Sequence, residues 1–201
     1  EQLFPKPFLY LIQDYEPGFY SWSSGYVLAE STYKCNYPQI AIFNSHELKE
    51  YVMSKGYKFS SVYCFEPVIN SVLKRQVCLL GDTVFKRKQI LIYGRPGVPR
   101  NAFEIVIEAL RKWVAMQPGA NSWTILSAGE QHAPVHLGEG IYLNSVGKLT
   151  IEEYAKVLQE SYAGISLMVS PHPSYPPLEM SVFDVKVITN NYGNKNMNIE
   201  K

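Results

Sequence analysis

Arg95, Lys148, Tyr175 and Glu179 combine residue types and spacing suited to an anionic ligand. Each falls in a loop or first helical turn that follows a strand candidate, and parallel strands deliver such positions to one edge of a sheet. Two cations, a backbone-rich turn and a carboxylate meet the needs of a nucleoside diphosphate. An arginine forks onto phosphate oxygens, a lysine adds compact charge, and a glutamate accepts from ribose hydroxyls. Arg95 lies within Gly94-Arg95-Pro96-Gly97-Val98-Pro99-Arg100, a glycine-rich basic loop between a strand and a helix. Taken singly, Arg95 and Lys148 read more simply as solvated surface charges, and Glu179 as a charge at a helix start.

Residues 170–179, Ser-Pro-His-Pro-Ser-Tyr-Pro-Pro-Leu-Glu, follow a buried-looking strand over 164–169. They open a short helix that Pro177 can start, which places Glu179 in its first turn. A loop between a strand's carboxyl end and a helix start is where open α/β sheets bind ligands, and the helix start favours phosphate.

The elements that must position these residues alternate in period. A strand over 8–12 ends in the polar cluster Gln13-Asp14-Tyr15-Glu16 before Pro17 and Gly18. Ser23 or Ser24 caps a helix to about residue 33, a strand follows over 40–43, and Ser45 caps a second helix that Gly56 ends. A third strand spans 61–65. Residues 67–88 carry no clean period around a Gly81-Asp82 turn and read as an interdomain connection. A strong strand over 89–93 is followed by a helix that Asn101 caps, with Glu104 three residues on and an apolar face of Val106, Leu110, Trp113 and Val114. Strands over 123–127 and 141–146 come next, and Thr150 with Glu153 forms a capping box for a helix to about residue 162. The strand at 164–169 and one at 186–189 complete a second alternating unit. This pattern is that of parallel sheets covered by helices.

Composition narrows the function classes. The 201 residues are 46% hydrophobic and 18% charged, with a net charge of +1, which gives no nucleic-acid footprint and no polybasic membrane patch. The longest apolar runs are strand-length. Cys35, Cys64 and Cys78 are odd in number and lack a metal spacing, so they read as reduced thiols of a cytoplasmic protein. His132 and His136 stand at i and i+4, but Pro134 between them argues for loop histidines. The aromatic residues from Tyr15 to Tyr26 read as core packing or as a carbohydrate platform.

Four motifs carry a family resemblance: Tyr10-Leu11-Ile12-Gln13-Asp14-Tyr15-Glu16-Pro17-Gly18-Phe19-Tyr20, Ala29-Glu30-Ser31-Thr32-Tyr33, Tyr93-Gly94-Arg95-Pro96, and residues 170–179. Together they resemble bacterial rhamnosyltransferases of glycosyltransferase family 4, the enzymes of rhamnan, O-antigen and S-layer glycan assembly. The resemblance implies an α/β chain of GT-B type, with two Rossmann-like domains facing each other across a cleft. The domains divide at 1–75, an incomplete acceptor-side domain, and 76–201, the donor-binding domain. It implies retaining transfer of L-rhamnose from dTDP-β-L-rhamnose to a growing cell-surface glycan. Arg95 and Lys148 would neutralise the leaving diphosphate, Ser174 and Tyr175 would line the donor pocket, and Glu179 would hold the ribose. Gln13, Asp14 and Tyr15 would contact sugar or acceptor. No metal or other cofactor is expected, in keeping with the lack of an Asp-x-Asp motif. The implied partners are the donor and a glycan or lipid-linked acceptor, the latter drawing a cytoplasmic enzyme to the inner face of the membrane.

Two departures bear on specificity. Many members of that family carry two glutamates separated by seven residues, whereas here Pro171 stands where the first would be and Glu179 is the second. Many carry His-Asp where this chain has Gln13-Asp14, and glutamine cannot titrate. A UDP- or GDP-linked donor, or a fragment that only binds nucleotide or glycan, are the rival readings.

Overall fold

The computed structural model describes residues 6–79 and 85–195, which form two compact α/β units. The first comprises the described residues up to Val68, with Ser170–Pro173 and the described residues from Asn191. The second comprises Ile69–Val169 and Ser174–Asn190, within the described residues.

In the first unit, β1 (Phe8–Ile12), β2 (Gln39–Phe43) and β3 (Ser61–Cys64) pair in parallel in that order. Helix α1 (Ser24–Tyr33) starts at Ser23, whose hydroxyl accepts from the Tyr26 amide. Helix α2 (His46–Ser54) starts at Ser45, which accepts from Leu48 N at 3.1 Å. Period-2 alternation buries Gln39, Ala41 and Phe43 of β2 on one face. Ile12, Tyr15, Tyr33, Phe43, Leu48, Val52 and Tyr57 make the core. The Tyr15 hydroxyl lies 3.1 Å from that of Tyr57, and the Tyr33 and Tyr57 rings stack at 5.1 Å. Of the two readings of the aromatic stretch, Tyr15 thus goes to the core, while Trp22 is 89% exposed.

The second unit is a six-stranded sheet in the order β6-β7-β5-β4-β8-β9. Its members are β4 (Arg87–Gly94), β5 (Thr124–Gly129), β6 (Val135–Gly138), β7 (Ile141–Gly147), β8 (Ser161–Ile165) and β9 (Lys186–Ile188). All pairs are parallel except the β6–β7 hairpin. The helices are α3 (Ser71–Leu79), α4 (Phe103–Met116), α5 (Ile151–Glu160) and α6 (Tyr175–Val182). Central β4 is buried on both faces. Ile90 and Ile92 pack with Phe103, Val106, Leu110 and Val114 of α4, and Leu91 packs with Leu73, Leu158 and Met180 of α3, α5 and α6. Each such fully buried aliphatic side chain contributes about 1.5–3 kcal/mol. Gly164 of β8 lets α6 come close, since a Cβ there would stand 2.6 Å from Met180 Sδ.

The structure revises several sequence expectations. Residues 71–79 are helical, with Asn70 Oδ1 accepting from Val72 N at 2.8 Å. Leu73 and Val77, with Ile69 just ahead of the helix, give α3 a narrow apolar stripe that the neighbouring charges Lys74 and Arg75 obscured. The Gly81-Asp82 turn lies outside the described residues. Strand β8 is Ser161–Ile165 rather than 164–169, because α5 ends at Glu160 and passes into the strand with no intervening residue. His136 lies on β6 rather than in a loop. None of the described helices is long and apolar enough to cross a membrane.

Candidate functional site

In the second unit, β7, β5, β4 and β8 run parallel, so Lys148, Glu130, Arg95 and the loop ahead of α6 all leave the sheet at its carboxyl edge. The chain leaves β4 toward β5 and later returns on the other side of β4 as β8, which makes β4/β8 the topological switch point where open α/β sheets bind ligands.

The loop after β4 is drawn tight. Gly94 abuts Ser127, since a Cβ there would lie 2.0 Å from Ser127 Oγ, and Glu130 N donates to Gly94 O at 3.0 Å. Val98 N donates to Arg95 O and Asn101 N to Val98 O, both at 2.9 Å. Arg95 is exposed, its stem beside Gly129. Lys148, also exposed, follows Gly147 just ahead of the Thr150–Glu153 capping box of α5. One strand, β5, separates their parent strands, which sets these about 10 Å apart across the sheet. The sequence reading missed Glu130, whose Oε2 accepts from Gly97 N at 2.9 Å. It gave no signal beyond ending the strand before a loop.

Asn101 does not cap α4. The cap is Ala102, at φ 49° with no side-chain bond, while Asn101 is buried and its Nδ2 donates to Leu167 O at 3.3 Å. Val169 N donates to Arg100 O at 2.8 Å, and Asn190 clamps the Met168 backbone at 2.7 and 3.1 Å. Three strand-end loops are thereby stacked at the switch point.

Ser174, 7% exposed, caps α6 at φ 71°, a left-handed conformation that costs a non-glycine residue of order 1–3 kcal/mol. Tyr175 is the first helical residue, half-buried. Helix α6 therefore begins at Tyr175, ahead of Pro177, and Glu179 falls in the second turn instead of the first. Burial raises the Glu179 pKa above the usual carboxylate range, and the nearby Tyr154 hydroxyl works against that rise. Tyr154 is itself pushed up, first by burial and then by the Glu179 charge. Its hydroxyl is enclosed and makes no hydrogen bond of ordinary geometry, so we read the pair as adjacent rather than bonded. Tyr154 and Glu179 form one polar spot on the α5/α6 face.

In the first unit, the residues after β1 gather a second group. Gln13 is exposed, Asp14 half-buried and Tyr15 buried. Asp14 Oδ1 accepts from Tyr15 N at 2.8 Å and from Ser170 Oγ, which itself accepts from His172 N at 3.0 Å. Burial lowers the His172 pKa, against the raising influence of Asp14, Glu47 and Glu66. Lys195 is 2% exposed, and its pKa is lowered by burial with Asp14 opposing. His172 and Lys195 were missed because they sit in proline-rich and polar stretches that carry no period.

On the same unit, His46, Cys64 and Glu66 bring their ligand atoms within 4.8 Å of one another. Their separation in sequence hid this set. The Cys64 thiol pKa is raised, by burial first and then by Glu66.

Two α/β units, one a six-stranded and mostly parallel sheet covered by helices, define a Rossmann-like protein. Residues 88–201 match the family described as "WsaF, C-terminal domain", and residues 2–46 match "WsaF, N-terminal domain". The chain belongs to the WsaF family. It is 33% identical over 184 residues, 90% of its length, to "O-antigen biosynthesis protein RfbC" of Myxococcus xanthus. It spans 14% of that protein's length.

Proposed function

We propose that the chain is the donor-handling part of a GT-B glycosyltransferase of family 4, which moves L-rhamnose from dTDP-β-L-rhamnose to a growing cell-surface glycan with retention. What supports this reading is that Arg95 and Lys148 follow the parallel strands β4 and β7 at the sheet's carboxyl edge, with Glu179 on the helix that follows β8, in a chain of the WsaF family.

The glycosidic C1–O bond to the donor's diphosphate breaks with its electron pair left on oxygen, and the acceptor hydroxyl oxygen bonds to C1 as its proton passes to that departing diphosphate oxygen. Arg95 and Lys148 meet the charge that grows on the diphosphate, so fixed cations lower the barrier. Because Glu130 already accepts from Gly97 N, the diphosphate is held by the two side chains rather than by that amide. Glu179 accepts from the ribose hydroxyls, Ser174 and Tyr175 line the donor pocket, and Gln13 and Asp14 face sugar or acceptor, with Tyr15 holding that strand end. A lipid-linked acceptor would bring the enzyme to the membrane surface.

Titration of the protein with dTDP, UDP and GDP tests the donor. Tightest binding of dTDP, weakening with salt as exposed charges are screened, is expected. Preference for UDP or GDP would move the donor assignment, and turnover of labelled dTDP-rhamnose by the full-length protein tests the reaction. Added Mg²⁺ or Mn²⁺ is expected to leave that rate unchanged.

A further inference from the structure

We propose that His46, Cys64 and Glu66 form a zinc site that clips edge strand β3 to the start of α2. The sheet brings the three together. Strands β2 and β3 are parallel with Phe43 opposite Cys64, and Phe65 N donates to Phe43 O at 3.0 Å, so the chain emerges from both strands at one edge. After β2, Ser45 caps α2 and sets His46 at its first position. After β3, Glu66 stands two residues beyond Cys64, the spacing that returns an extended chain to the same side.

The geometry is within reach of an ion. All three ligand atoms lie within 4.8 Å of one another. Bonds of about 2.0–2.3 Å to a tetrahedral zinc place its donors about 3.5 Å apart, so side-chain rotations that part the close His46–Glu66 contact and draw in Cys64 would form the set. The chemistry selects the metal, since a thiolate with an imidazole suits zinc and not magnesium or calcium, which take oxygen. One thiolate and one carboxylate neutralise the dication, and three protein ligands leave the fourth position to water.

Two further observations point to a cation. Glu66 Oε1 already meets both the His46 ring nitrogen and the His46 backbone N–H, the latter at 3.2 Å, so the carboxylate and imidazole are held together. Glu47, the residue after His46, has its Oε2 buried without a hydrogen-bond partner. An enclosed carboxylate oxygen with no donor is costly, and a dication beside it offsets that cost. This site stands on residues of the first unit alone and does not rest on the donor reading.

The test is titration of the metal-stripped full-length protein with Co²⁺, followed by displacement with Zn²⁺. One cobalt per chain is expected, with a thiolate-to-cobalt charge-transfer band and the visible bands of tetrahedral cobalt, both abolished by zinc. Cys64→Ser, nearly isosteric, is expected to lose the charge-transfer band while keeping its circular dichroism. His46→Gln and Glu66→Gln are expected to weaken zinc by more than roughly 10–100-fold, the scale for losing only an outer partner of a ligand. Zinc, and not Mg²⁺, is expected to raise the Tm. Absence of the thiolate band, its survival in Cys64→Ser, or equal stabilisation by Mg²⁺ would overturn the assignment.

Discussion

Ser170 donates its hydroxyl hydrogen to the carboxylate of Asp14 across 156 positions of sequence. The same oxygen accepts from His172 N at 3.0 Å, and the same carboxylate oxygen accepts from Tyr15 N at 2.8 Å. A proline-bounded segment is thus hung on the end of β1 by a hydroxyl that both gives and receives. Ser170 is 2% exposed, so the bond is shielded from competing water.

Ser170→Ala is expected to loosen that segment. Hydrogen bonds to charged groups contribute about 1.5–3 kcal/mol, so the His172 amide should exchange faster by one to two orders of magnitude, roughly. Hydrogen exchange resolved by residue checks it, and unchanged protection would show that neighbouring contacts hold the segment alone.

Arg95→Ala and Lys148→Ala are each expected to lower kcat of the full-length enzyme by roughly 10²-fold or more. In the proposed reaction, charge on the leaving group grows as the bond breaks, so contacts from these two cations would strengthen toward the transition state. Steady-state kinetics with a thermal melt as folding control checks both. If neither changes kcat, both are surface charges.

Glu179→Gln is expected to separate stability from binding. Burial raises the folded pKa of Glu179 above its ordinary value of 4.5. The contribution of its neutral form to stability is therefore fully present below pH 4.5 and lost as pH rises through the folded value. Glutamine stays neutral throughout. The variant's Tm should exceed that of the wild type by more at pH 7.5 than at pH 4, while donor KM rises with little change in kcat. A Tm difference that does not depend on pH would contradict the burial argument.

Lys86→Met should cost about 3–6 kcal/mol in urea unfolding, the scale for two hydrogen bonds from a charged donor. Its ammonium donates to Leu158 O at 3.0 Å and Phe183 O at 2.6 Å, tying the segments that end α5 and α6. Burial lowers its pKa, with Asp184 opposing. A loss below ~1 kcal/mol would mean that methionine packing replaces them.

Elements whose signals are local were legible in the sequence. The Ser23 and Ser45 caps, the Thr150–Glu153 box and the buried run of β4 each depend on residues within a turn or a strand of one another. Helix α3 was not, because one buried residue, Leu73, and two half-buried ones face the core among charges. The cap of α4 was misassigned because Asn101 spends its amide on Leu167, a partner 66 positions away. Arg95 and Lys148 could be placed at strand ends from the alternating pattern. Glu130, His172 and Lys195 could not, since only the folded chain shows what stands beside them.

Among the described residues, the first unit draws on those up to Val68, then on Ser170–Pro173 and on those from Asn191 to Lys195. As the chain leaves the ribosome, Asp14 emerges early and waits for Ser170 and Lys195, and Glu47 O waits for the amide of Asn194 at 2.9 Å. The second unit has nearly all its strands by then, and its contacts are closer in sequence. Long-range closure is slow because loop entropy is lost before the contacts reward it. The earlier of these two units in the chain is therefore expected to finish folding last, with the end of its strand β1 and buried Lys195 settling only after the other sheet has formed.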